Sequence, residues 1–413
     1  MKIPKFLFKS FRTKVAKLPN IDDYLDAPAG VWCLGYIPSN LKFQVGAQLR
    51  YDSKQMLPFS EAFLREVVKD DEGFQRAKFA LQLFIYFADQ IIGGKSSGPI
   101  GPVDPWCMVL CISRDLEVNA SAHLTSDGDA ATVVITINAG VFVTLAHRLL
   151  AMFADESFMQ NLGVAPIRKS GSTTKKTPDD GSWCAQMPNN ANLQMVAAWT
   201  TALAAIQVLQ HELAHFFRGH LALILARNPQ RPEDCKLLEI DNELRPPLID
   251  PDTRRCLELD ADEAAGTTYA TVMRIFDHPV PGPEDGKIER FYVLTILAAV
   301  STFIIFEEGS PSRNYYPPAW RVHQFFGSFI NEFFSQALDD NDDNATWKIL
   351  EDVMSHVEAR YSDLNWGDGF DLQAASASTN ELLSKDLPKR VALAKDFSQY
   401  MPHICAPELG RRY

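Results

Sequence analysis

A chain of 413 residues can hold two or three domains, or one large domain with elaborations, and 46% apolar with 22% charged residues suits a soluble globular protein with a large core. A formal net charge of −12 argues against general nucleic-acid binding. Seven scattered cysteines, with no C-x-x-C pair, build no disulfide framework and point to a reducing cytoplasm.

The chain opens on "MKIPKFLFKSFRTKVAKLPN", which is basic and carries no acid. Lys5, Lys9, Arg12 and Lys14 interrupt every apolar run, which argues against an export signal. Residues 1–20 read as a basic arm on an acidic body, the alternative being an amphipathic helix on a membrane surface through Phe6, Leu7, Phe8 and Phe11. Apolar residues at three- and four-residue steps predict a helix over residues 59–92, ended by a glycine pair, with Gly93 to Pro105 as a loop. Cys107 and Cys111 in "WCMVLCI" read as small core residues. "LEVNASAHL" and "ATVVITIN" flank the turn-rich "TSDGD" and predict a β-hairpin, followed by a helix over "VFVTLAHRLLAMFADESFMQ".

Arg168 to Ser182 is polar and basic and predicts a loop. From near Asn192 to about Arg227 the chain is apolar almost all round, the mark of a central buried helix. A connecting loop leads to a second buried helix from about Thr253 to Phe276 and a third over Ile288 to Phe306. The apolar run Phe291 to Phe306 is shorter than the ~20 residues of a membrane span and is followed at once by Glu307 and Glu308, so it reads as core. The tail after Leu338 is a peripheral helical addition. The expected fold is α+β, mostly helical, with a small β-sheet. The expected organisation is a basic arm (1–20), a mainly helical region (21–120), a core (121–337) and a C-terminal helical extension (338–413).

The chemistry concentrates in "VLQHELAHFFRGH", Val208 to His220. On a helix His211 and His215 project from one face, about 40° apart, and two imidazoles so placed can bind one zinc ion. Glu212, rotated about 100° from His211, can reach a metal-bound water as general base without being a ligand. His220, nine residues after His211, falls on the opposite side of a continuous helix and is expected to stand outside the site. A catalytic zinc needs a third protein ligand. Around Glu258 the helical stripe Ala261, Asp262, Ala265, Tyr269, Val272 and Phe276 is apolar except for Asp262. Glu258 is therefore the expected third ligand. Asp262, one turn on, is the expected acceptor for the free ring N–H of a ligand histidine. Asp260 and Glu263 fall on the far side, where solvent is expected, so Asp260 should matter little. The small residues Ala261, Ala264, Ala265 and Gly266 would let this helix approach the first one closely.

"HELAH" (211–215) followed by "ELDAD" (258–262) resembles the gluzincin metallopeptidases. It is nearest in pattern to the soluble relatives of the CAAX prenyl proteases and to the Lit-type phage-exclusion peptidases. The resemblance covers about Thr132 to His323. It implies a zincin-like catalytic core with a buried H-E-x-x-H helix, a bound zinc ion, and an endopeptidase acting on a protein or peptide. These families often carry a later His-Pro…Arg element. The candidate is "YYPPAWRVH", Tyr315 to His323, with Tyr316 at the His position and Arg321 at the Arg position. Tyr316, Arg321 and His323 are candidate oxyanion donors, although each type also serves in ordinary packing and ion pairs. "ATVVITIN" could offer a sheet edge to substrate, or be a plain core strand.

Overall fold

The computed structural model describes residues 61–96, 106–127, 130–154, 188, 191–228, 236–238, 249–275, 287–309, 316, 318–334 and 387–396. The basic arm, the loop Arg168 to Ser182 and most of the region after residue 338 lie outside the described residues.

The N-terminal helical segment is two helices, α1 (Glu61–Val67) and α2 (Asp71–Ser96). Between them Asp70 Oδ2 accepts the Gly73 N–H at 2.8 Å and so caps α2. The glycine pair does not end α2, which runs through Gly93 and Gly94 to Ser96. Then come β1 (Trp106–Ser113), β2 (Ala120–Asp127), β3 (Ala130–Asn138) and α3 (Ala139–Phe153). β2 and β3 form the expected antiparallel hairpin, while β1 runs parallel to β3 from Trp106↔Ala131 to Ser113↔Asn138. The sheet order is β1-β3-β2-β4, where β4 (Lys236–Leu238) is a short strand in the segment expected to be loop. β3 is thus paired on both sides, and "ATVVITIN" is a central strand rather than an edge. Its residues Val133, Ile135 and Ile137 are fully buried.

α4 (Ala191–Phe217) is the axis of the molecule, and every residue from Ala197 to Phe217 is buried. It packs against α2, α3 and the sheet, and against α6 (Pro251–Ile275) and α7 (Lys287–Gly309). α4 is long and apolar enough to cross a membrane by length and composition, but 78% of that apolar window is buried inside the protein. The expected continuous helix to Arg227 is broken: Arg218 and Gly219 make a turn, Gly219 takes φ 79°, and α5 (His220–Arg227) starts afresh. Asp250 caps α6 by accepting the Thr253 N–H at 2.9 Å, with Pro251 in the first helical position.

α8 (Pro318–Phe334) has no counterpart among the helices expected from sequence. Its start at Pro318 and its apolar residues Val322, Phe325, Phe326, Phe329 and Ile330 carried the signal. α8 lies on α6 so closely that a Cβ at Gly266 would strike the Phe325 carbonyl oxygen. Gly266 therefore serves the approach of α6 to α8, not to α4. A further described helix, α9 (residues 387–396), docks through buried Leu393 and through charge, Lys389 reaching Asp250 at 3.0 Å and Arg390 reaching Glu263 at 2.6 Å. Among the described residues the structure is mostly helical with one small mixed sheet, and one apolar core cluster reaches from α1 and α2 to α8 and Leu393.

Candidate metal centre

α4 and α6 cross with Glu258 opposite the two motif histidines. His211 Nε2 lies 3.1 Å from His215 Nε2 and 3.1 Å from Glu258 Oε2, and His215 Nε2 lies 3.6 Å from the same oxygen. Each atom can offer a lone pair to a common point. Ligand atoms of a tetrahedral ion with bonds of about 2.1 Å stand about 3.4 Å apart. The spacing thus fits a small cation, and three electron-rich atoms so close together repel one another unless a cation or a shared proton lies among them. This buried His211, His215 and Glu258 group can hold a metal ion. Burial works to raise the Glu258 carboxyl. His215, His211 and Arg254, whose Nε is 3.6 Å from Oε1, outweigh it and hold the group well below the usual carboxylate range.

Behind His211, Nδ1 stands 2.9 Å from Asp262 Oδ1. Asp262 in turn takes a bidentate pair from Arg321, Nε at 2.7 Å and Nη2 at 3.1 Å. The Arg321 guanidinium also lies 4.9 Å from the Phe303 ring on α7. Arg321 thus sits behind His211, clamped to its carboxylate partner. A narrow recess opens here, walled by Gln207, Val208, Phe303 and Phe325 beside His211 and Asp262. Tyr316 is buried, stacks on Trp320 with centroids 5.6 Å apart and lies near Arg255. His323 is half-buried on α8, two residues past Arg321 and so directed roughly 160° away around the helix.

Behind His215 the arrangement departs from expectation. Because Gly219 resets the helical phase, His220 folds back under α4, and its Nδ1 lies 3.0 Å from His215 Nδ1. His220 Nε2 lies 3.0 Å from Asp260 Oδ2. Asp260 is 7% exposed, not on a solvent face, and accepts a bidentate pair from Arg218 at 2.7 and 2.8 Å. The expectation that Asp260 points to water fails because α6 is covered on both sides, by α4 with the α4–α5 turn and by α8. Burial pushes the His220 imidazole down to about 4, against the hydrogen bond and charge of Asp260, so it is neutral at pH 7. Burial also works to raise Asp260, but the hydrogen bonds from His220 and Arg218 hold it below the usual range. Glu263, by contrast, is half-buried, held by Gln324 and Arg390.

His220, Asp260 and Arg218 were missed from sequence. The signal was Gly219, a helix-stopping residue inside an otherwise unbroken apolar pattern. Glu212 is 1% exposed, on the turn between the two histidines. No protein-family model, no curated protein and no solved structure matches this chain.

Proposed function

We propose that this chain is a cytoplasmic zinc-dependent endopeptidase with a zincin-like core. The observation that supports this reading is the near-tetrahedral spacing of His211 Nε2, His215 Nε2 and Glu258 Oε2 around H-E-x-x-H. Two neutral imidazoles and one carboxylate suit zinc, which when bound supplies a Lewis acid for a peptide carbonyl and lowers the pKa of a water to about 7. Glu212 takes the proton from the attacking water and hands it to the leaving amine. Asp262, held by Arg321, keeps the His211 ring oriented. Tyr316 is the remaining candidate for an oxyanion donor, since Arg321 is engaged behind His211 and His323 is directed away from it. The substrate is a protein or peptide rather than a nucleic acid.

A second reading, a metal-stabilised binding or regulatory protein without turnover, is favoured by burial. His211, Glu212, His215 and Glu258 are only 4, 1, 1 and 2% exposed. Under the first reading, substrate must open a way to Glu212.

Elemental analysis comes first: about one zinc per wild-type chain and none in Glu258→Ala. Glu212→Gln keeps the shape but cannot accept the proton, so it should retain zinc and lose hydrolysis by about 10²–10⁴-fold. Substrates are found by mapping new protein termini in cells expressing wild type or Glu212→Gln. A few cuts present only with wild type support the peptidase. Zinc retained with identical termini in both strains supports the second reading.

A further inference from the structure

The H-E-x-x-H motif supplies two histidines, and Asp262 faces the rear nitrogen of the first only. We infer that His220 and Asp260 do for His215 what Asp262 does for His211: they are positioning residues that fix the His215 tautomer so that Nε2 is left free to bind a metal. The consequence for metal rests on the zinc reading above, whereas the proton arrangement does not.

The geometry assigns the protons from the outside inward. Asp260 is an ionised carboxylate bonded to Arg218, so it only accepts. The proton on the 3.0 Å contact between Asp260 Oδ2 and His220 Nε2 therefore sits on the ring nitrogen. The Asp260 charge is already met by the bidentate Arg218, so the fully buried His220 ring has no unpaired anion to hold it charged; it is a neutral imidazole with one N–H, and its Nδ1 is an acceptor. The atom facing it at 3.0 Å, His215 Nδ1, must then be the donor. That leaves His215 Nε2 as a lone pair, and this is the nitrogen that meets His211 Nε2 and Glu258 Oε2. If His220 were reversed, with its proton on Nδ1, His215 would carry its own on Nε2 and could not be a ligand. Arg218, Asp260 and His220 are all at most 7% exposed. Burying such groups gives little stability compared with an apolar equivalent.

Two measurements on the full chain test this. Nitrogen NMR on histidine-labelled, metal-free wild type should show His215 protonated at Nδ1 and His220 at Nε2; protonation of His215 at Nε2 overturns the proposal. Zinc affinity by chelator competition should fall about 10–100-fold in His220→Leu, the usual cost of losing such a partner. In His220→Asn the amide oxygen stands close to the lost Nδ1 and should restore most of that affinity. Melting of the metal-free variants checks that they fold. Unchanged affinity in His220→Leu, or an Asn variant no better than Leu, overturns the proposal while the metal centre stands. If His220→Leu does not fold, His220→Asn and the tautomer measurement still decide. A wild type that takes up no zinc removes the metal reading, and the NMR result still decides the tautomer.

Discussion

The two sides of the metal centre have parallel parts and differ in how the chain reaches them. On the His211 side Asp262 touches the ring directly, and Arg321 arrives from α8 to clamp it. On the His215 side the carboxylate is Asp260, two residues earlier on the same helix and roughly 160° around it, and an extra imidazole, His220, spans the gap. Arg218, from the turn at the end of α4, is its clamp. Each side thus has a histidine, an aspartate and an arginine. One is assembled by regular helical geometry, the other by a break in it. A helix sandwiched between two others can bury carboxylates on opposite faces, provided that each meets a cation and a histidine.

The largest separation between the sides should come from the arginines. Arg321→Met leaves Asp262, 1% exposed, without its cation, and breaking such a pair costs about 3–5 kcal/mol of stability. Arg218→Met should cost less, because Asp260 is 7% exposed and its charge keeps more access to water. Urea unfolding of both variants measures the difference, and equal losses would erase the distinction. The aspartates come next. Asp262→Asn should weaken zinc binding about 10–100-fold, and Asp260→Asn should weaken it by less, since its effect passes through an imidazole. A silent Asp260→Asn would restore the sequence-based view of that residue.

Two glycines allow a gentler test. Gly266→Ala drives a methyl into the Phe325 carbonyl between α6 and α8, the helices bearing Asp262 and Arg321, at an overpacking cost of about 1–3 kcal/mol. Gly219→Ala forces a side chain into the left-handed region at the turn that delivers His220, at about 1–2 kcal/mol. Thermal melting orders the two, and zinc affinity shows whether each disturbs its own side.

The smallest effect lies outside both sides. Asp250→Ala removes the α6 cap, at about 1 kcal/mol near neutral pH with no change in zinc affinity. Slight burial works to raise the Asp250 carboxyl, but hydrogen bonds from Thr253 and the nearby Lys389 hold it below the usual carboxylate range. A depressed folded pKa stabilises the fold in full above the unfolded value of about 4, and the contribution fades as pH falls towards the folded one. The difference between wild type and Asp250→Ala in urea should therefore shrink in acid.

The sequence by itself determined what depends on local periodicity. The long apolar helix around H-E-x-x-H, the hairpin, and the helical stripe that puts Glu258 and Asp262 on one face all follow from 3.6- and 2-residue repeats. His211, His215 and Glu258 meet in space because such a stripe must bury its acids against a partner, and the nearest cationic or metal-binding partner is the histidine face. The tertiary structure alone decided where periodicity is interrupted or several helices compete. Gly219 turns a residue counted to the wrong side into a neighbour of His215. α8 covers a face of α6 that helical arithmetic left to solvent. β1, reaching across from before the hairpin, makes β3 central. The physical reason is the same in all three. A helical wheel treats one element in isolation and knows one inside and one outside, but burial is set by the sum of neighbours, and a single left-handed residue shifts the phase of everything after it.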